Sequence, residues 1–293
     1  MTVGQGVQIE APPVALPAPD AIIDRAAGEN FPVASRLLRR RERDHLMALY
    51  GFARLVDDIG DEATGDREEL LDAVEQELER VFTGEPQHPL MRSLAATVRD
   101  CDIPRAPLEA LIAANRQDQR VHAYDTFGDL EAYCALSANP IGRLVLHVFG
   151  AATPRRAALS DRICTSLQLT EHWQDVAEDL RRGRVYIPSE DLQRFGCSVA
   201  ELALRPAPER VRRLLCFEVK RAREILASGA SLVHMLRGRP RLAVAGFVAG
   251  GHAALTAIER AGYDVSAGPP RARGRARIVA LIPALMPIRG SIR

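Results

Sequence analysis

The sequence predicts a single all-α domain, on three observations. From Ala21 onward Ala, Leu, Arg and Glu dominate, and the alternation that marks strands is rare. Proline and glycine break the helical pattern at intervals, in "TGEPQHP", "CDIPRAP", "GAATPRR", "RGRVYIPSED", "RPAPE" and "RGRPR". None of these breaks is long enough to be an interdomain linker, and no fixed-period repeat is present. With 47% hydrophobic residues in 293, the chain can bury a large core.

Taken in order, residues 1–20 form an Ala/Pro leader, read as disordered. It lacks the basic start and apolar core of a signal peptide. Residues 21–293 are the domain. Helices are expected at roughly 32–38, 42–62, 66–82, 88–100, 106–122, 128–149, 155–182, 207–237, 241–261 and 275–288. "TGEPQHP" stops the third, "CDIPRAP" separates the fourth from the fifth, and "GAATPRR" separates the sixth from the seventh. "RGRVYIPSED" and "RPAPE" fill the gap before 207–237, and "RGRPR" ends that helix.

Several function classes lose support early. A net charge of +1 gives no footprint for nucleic acid, and lysine is almost absent, with Lys220 alone among arginines. Five scattered cysteines, never spaced C-x-x-C, argue for a reducing cytoplasm without disulfides or a zinc site. No apolar run reaches about 18 residues, so no spanning helix is expected. The lone "GQG" at Gly4–Gly6 lies in the leader and is no dinucleotide fingerprint.

The chemistry is concentrated in two acidic helices. In residues 43–61, Arg43, Tyr50, Arg54, Asp57 and Asp61 fall within roughly 60° on a helical wheel, while Leu49, Phe52, Leu55, Val56 and Ile59 cover most of the rest. A helix so apolar belongs in a core, so its polar stripe must line something internal and wet. Buried carboxylates are costly unless paired or metal-bound. The alternative is a salt-bridge stripe that neutralises itself. Residues 166–188 repeat the arrangement: Gln168, His172, Asp175, Asp179 and Arg182 share one face, with Leu169, Trp173, Val176 and Leu180 opposite. Two matched D-x-x-x-D pairs could face each other and hold a hard cation such as Mg²⁺, which keeps several waters and shares its shell with phosphate. Ionised diphosphate suits such a cluster, with Arg43, Arg54, Arg182 and Arg184 donating charge-assisted hydrogen bonds.

The segments "GENFPVASRLLRRRERDHLMALYGFARLVDDIGDE", "YCALSANPIGRLVLHVFG", "LQLTEHWQDVAEDLRRGRVYIP" and "GGHAALTAIERAGYDV" resemble the head-to-head isoprenyl diphosphate synthases, the squalene and phytoene synthases. The resemblance runs from about Gly28 to Val265. "ENFPVAS" and "SANPIGRLVLH" point within it to the hydroxysqualene branch. It implies an isoprenoid-synthase helical bundle around a central cavity, with Asp57, Asp61, Asp175 and Asp179 as Mg²⁺ ligands. It further implies Arg43, Arg54 and Tyr50 at the diphosphate, Phe31 and Ser35 in a covering segment, and Tyr133, Gln168 and Tyr186 along the cavity. Glu171 stands where the family usually has Asn, and it could add a metal ligand. "LLRRRERD" lacks a proline that many relatives carry. No motif aspartate is missing.

The resemblance implies an enzyme that ionises presqualene diphosphate with Mg²⁺ and adds water to give hydroxysqualene. Asp57, Asp61, Asp175 and Asp179, with Tyr50 and Tyr186, would carry the chemistry. Phe31, Phe52 and Leu146 would shield the carbocation. The alternatives are condensation of two farnesyl or two geranylgeranyl diphosphates, and a non-catalytic assembly protein of the same fold. A nicotinamide is not expected. A downstream oxidoreductase is a candidate partner. The basic C-terminal stretch "RARGRARIVALIPALMPIRGSIR" could rest on the inner membrane face or cap the bundle as a last helix.

Overall fold

The structure is a computed structural model and describes Leu16 and residues 38–270. Among the described residues it is all-helical, and its one isolated bridge pairs Ala123 with Val185. The helices are α1 (Arg40–Asp61), α2 (Arg67–Thr83), α3 (Pro89–Cys101), α4 (Ala106–Asp118), α5 (Phe127–Ser137) and α6 (Asn139–Val148). Then follow α7 (Pro154–Arg181), α8 (Ser189–Arg194), α9 (Val199–Leu202), α10 (Glu209–Gly229), α11 (Leu232–Met235) and α12 (Gly238–Arg260). Most of the leader, nearly all of the helix expected at 32–38, and the helix expected at 275–288 lie outside the described residues.

Local chemistry sets the ends. Asp66 caps α2 by accepting from the amides of Glu68 and Glu69 at 3.0 and 3.2 Å. Thr126 opens α5 in a capping box with Asp129. The helix expected at 128–149 is two helices. Pro140 has no amide hydrogen to donate and its ring crowds the preceding turn, so α5 stops at Ser137 and α6 starts afresh. The helix expected at 207–237 likewise stops at Gly229, followed by the short α11. The short helices α8 and α9 were not anticipated.

The apolar faces collapse into two main cores. Phe52, Leu55, Val56 and Ile59 of α1 pack with Leu71, Val74 and Leu78 of α2, Met91 and Leu94 of α3, and Leu108 of α4. The second core gathers Leu130 of α5, Leu169 and Trp173 of α7, Leu214 and Leu226 of α10, and Leu255 and Ile258 of α12. Helices α4 and α6 serve both, since Leu111 and Leu144 belong to the first core while Ala114 and Leu146 belong to the second. Consequently α1 and α7 are not packed closely on one another; each packs on α6. By length and composition α12 could cross a membrane, yet half of its apolar window is buried against this second core. All five cysteines are unpaired.

Candidate active site

The chain that leaves α7 ties it to α1. Gly183, at φ +76°, takes the left-handed conformation that stops the helix. The amide of Gly183 donates to the carbonyl of Leu180 at 3.0 Å, and that of Arg184 to the carbonyl of Asp179 at 2.9 Å. This paired pattern is a Schellman motif. The chain then runs beside the α4–α5 connection. Val185 N donates to His122 O at 2.7 Å, Ser189 N to Tyr124 O at 2.9 Å, and Glu190 N to Asp125 O at 3.0 Å. These bonds fix the side chains of Arg184 and Tyr186 against α4.

From that anchor Arg184 reaches α1, with Nη2 2.8 Å from Asp61 Oδ1. Burial works against its charge, but Tyr186, Asp61 and Asp118 outweigh it and hold the guanidinium above its usual range. One turn back on α1, Asp57 Oδ1 accepts from Asn115 Nδ2 at 3.2 Å. Asn115 can come so near only because residue 60 is glycine: a Cβ there would lie 2.0 Å from Asn115 Oδ1. Asp57 is reachable by water but has protein packed around it. This desolvation lifts its carboxyl to about 6, with Asp61 adding repulsion and the Asn115 hydrogen bond opposing both.

Asp118 of α4 accepts from Tyr133 OH at 2.8 Å, while its Oδ1 is buried with no hydrogen-bond partner. Burial lifts this carboxyl to about 6 as well, against the Tyr133 bond and the Arg184 charge. Tyr124, Tyr133 and Tyr186 cluster with ring centroids 5.5–5.9 Å apart. Burial raises all three phenols, so they remain protonated donors. His172 of α7 stacks on Tyr186 at 3.6 Å, meets Gln168 Nε2 at 3.2 Å, and is kept neutral by burial. Its Nδ1 lies 3.8 Å from Asp179 Oδ2.

A small crevice of about 10 Å³, room for a single water, opens beside these groups. His172, Asp179, Arg184 and Tyr186 form its polar end, and Val176, Leu180, Val185, Ile187 and Leu202 its apolar end. Val176 and Leu180, expected on the face opposite Asp179, therefore share the pocket with it. Phe52 and Leu146 are fully buried in the two cores and cannot shield a reacting cation.

The remaining expected residues are placed as follows. Arg43, Tyr50 and Asp175 are half-buried, and Glu171 is exposed on α7. Arg54 Nε sits 2.8 Å from Asp58 Oδ1 and Nη2 3.8 Å from Glu62, still near enough to lower the Asp57 carboxyl. Arg182 pairs with exposed Glu178 at 3.0 Å and is mostly in solvent, apart from the cluster around Arg184. Phe31 and Ser35 lie outside the described residues. Asn115, Asp118, Tyr124 and His172 were not on the expected list. Asn115 and Asp118 left a signal: two polar residues three apart at the end of the apolar run "LIAANRQD".

No three His, Cys, Asp or Glu side chains among the described residues converge into a ready ion cage. A cation that completes its shell with substrate phosphate and water needs no such cage. The residues fit that kind of binding. Asp179 Oδ2 is a buried oxygen whose nearest donor, His172 Nδ1, stands off at 3.8 Å, and Asp57 faces the like charge of Asp61.

Known proteins place the chain in a family. The family model described as squalene/phytoene synthase matches residues 24–279. A hydroxysqualene synthase of Rhodopseudomonas palustris is 35% identical over 208 residues, 70% of each chain. A phytoene synthase of Arthrospira platensis is 30% identical over 252 residues, 81% of this chain and 82% of that one. The crystal structure of squalene synthase HpnC from Alicyclobacillus acidocaldarius superposes with a TM-score of 0.79 at 44% identity, over 83% of this chain and 92% of that one. With two acidic helices tied by Arg184, and with these matches over most of its length, the chain belongs to the squalene/phytoene synthase family of enzymes.

Proposed function

We propose that this enzyme converts presqualene diphosphate and water into hydroxysqualene and diphosphate. One observation carries the reading: Arg184 pairs with Asp61 of α1 and lines the same crevice as Asp179 and Tyr186, so a fixed cation stands between the two acidic helices, as a departing anion would require. The 35% identity to a hydroxysqualene synthase and the 44% identity to HpnC support this branch. The phytoene synthase at 30% identity favours a second reading, condensation of two prenyl diphosphates.

In the proposed reaction the C–O bond to diphosphate breaks and its electron pair leaves with the diphosphate. Arg184, with Arg43 and Arg54 on α1, donates to the departing oxygens. Asp57, Asp61, Asp175 and Asp179, with Glu171 beside them, would hold Mg²⁺, which supplies Lewis-acid stabilisation of the same charge. Tyr186, which lines the crevice, and Tyr133 packed behind it would give the carbocation an aromatic wall, with Val176, Leu180 and Ile187 as apolar neighbours. Water adds to the cation and releases a proton. The step involves no net oxidation or reduction, so a reductant is not consumed. Removal of the new hydroxyl falls to a separate reductase, and contact with the inner membrane face would suit so insoluble a product.

The test is to incubate the purified full chain and Mg²⁺ with presqualene, farnesyl or geranylgeranyl diphosphate, with and without reduced nicotinamide. A C30 alcohol from presqualene diphosphate alone is expected. A C40 hydrocarbon from geranylgeranyl diphosphate, or any C30 product from farnesyl diphosphate, would overturn the choice of branch.

A further inference from the structure

Outside the pocket, two buried carboxylates meet a single guanidinium. Glu218 of α10 is fully buried and Asp191 of α8 nearly so. Arg221 Nη1 and Nη2 reach the two oxygens of Asp191 at 2.8 and 3.2 Å, and Nη1 lies 3.2 Å from Glu218 Oε2. Phe127 of α5 and Phe217 of α10 cover the guanidinium, at 4.2 and 4.5 Å from their ring centroids. One cation cannot balance two buried anions, and an uncompensated buried charge is costly. A single proton closes the balance. Glu218, the more deeply buried of the two and the more weakly held by Arg221, is the carboxyl on which that proton is placed.

This cluster is attached to the site's frame. Asp191 lies just past residues 184–190, which hold Arg184 and Tyr186 against α4. Its neighbour Glu190 accepts from the amide of Phe127 at 2.6 Å. The stretch therefore has two anchors, its backbone bonds to residues 122–125 and this buried triad.

We propose that Glu218 is a positioning residue: by sharing one proton and one guanidinium with Asp191, it clamps α8 to α10 and so sets the stretch that carries Arg184 and Tyr186. The inference rests on the reading of Arg184 and Tyr186 as site residues. The charged groups acting on Glu218 are Arg221 on its own helix and Asp191 and Glu190 on α8. Arg194 of α8 spends its charge on the ring faces of Phe217 and Phe195. On its other sides, α10 meets α7 through Ser166, whose hydroxyl donates to Ala222 O, and through Arg162, which donates to Ser228 Oγ and pairs with Glu131; it meets α12 through the exposed Arg223–Glu259 pair, with His252 near Arg223. Burial pushes the Glu218 carboxyl up to about 8, ahead of the opposing Arg221 charge, so the shared proton is present at neutral pH and leaves in mild alkali.

Two readouts test the clamp in the full chain, each on wild type, Glu218→Gln and Asp191→Asn. The first is hydrogen–deuterium exchange of residues 184–190 without substrate, corrected for intrinsic rates, from about pH 7 to about pH 9.5. Wild type should lose protection across that range. Both variants should keep it, because each leaves one carboxylate for Arg221. The second is diphosphate release, where wild-type kcat/KM should fall about tenfold over the same range and the variants should lack that limb. A wild-type alkaline loss that persists in either folded variant, or no wild-type loss of protection, overturns the proposal. Exchange needs no substrate, so a wrong lipid product would defeat the functional reading and leave this result standing.

Discussion

At the scale of single residues, Asp179 carries the sharpest expectation. Its buried oxygen, 3.8 Å from the nearest donor, is suited to a cation shared with diphosphate, so Asp179→Asn should lower Mg²⁺-dependent diphosphate release by at least about 100-fold with the fold intact. Asp57 adds a pH dependence. Its carboxyl titrates at about 6, and it must lose its proton before it can ligate. Apparent Mg²⁺ affinity, read by titration of activity, should therefore weaken as pH falls below about 6. Gly60 tests the approach of Asn115. Gly60→Ala should cost about 1–3 kcal/mol in denaturant unfolding, and Asn115→Ala in the same chain should recover much of that loss. The aspartate pairs were legible because i and i+4 spacing in an apolar helix leaves a local trace. Asn115 and Asp118 were less so: their importance comes from Asp57 and Tyr133, which lie 58 and 15 positions away.

At the scale of elements, the long helices declare themselves through periodicity, and α1, α2, α3 and α7 fall within a few residues of expectation. What escaped was set by single residues or by distant partners. Pro140 divides an expected helix, α8 and α9 are too short to show a period, and the bridge at Val185 joins strand-like stretches about 60 positions apart. The end of α7 deserves its own experiment. Gly183 occupies the left-handed position of the Schellman motif, where a side chain is strained. Gly183→Ala should cost about 1 kcal/mol in stability. It should lower diphosphate release further than that loss explains, because Arg184 is the next residue. An activity unchanged beside a lowered melting temperature would show that Arg184 is placed by other contacts.

At the scale of the molecule, buried acids set how stability responds to pH. Asp57 and Asp118 titrate at about 6 and Glu218 at about 8, all raised chiefly by burial. The native chain thus keeps protons that the unfolded chain releases near pH 4, so these groups contribute most below that point. Their contribution drains away as pH rises through about 6 and then about 8. Glu77 runs the other way: donors at His88, Arg80 and Gln87 outweigh its burial, and its support is lost as acid protonates it. With a chelator present, Asp118→Asn should gain on wild type by about 3 kcal/mol between about pH 4 and 7, measured by denaturant unfolding. The two cores, joined through α4 and α6, were not legible in the sequence: amphipathic faces report that something is buried, but not against which neighbour. The bridge from residue 123 to residue 185 also has a bearing on synthesis. On the ribosome, the first acidic pair emerges and can fold long before its guanidinium partner has been translated. The contact between Asp61 and Arg184 accordingly forms late, once the chain beyond α7 has folded back.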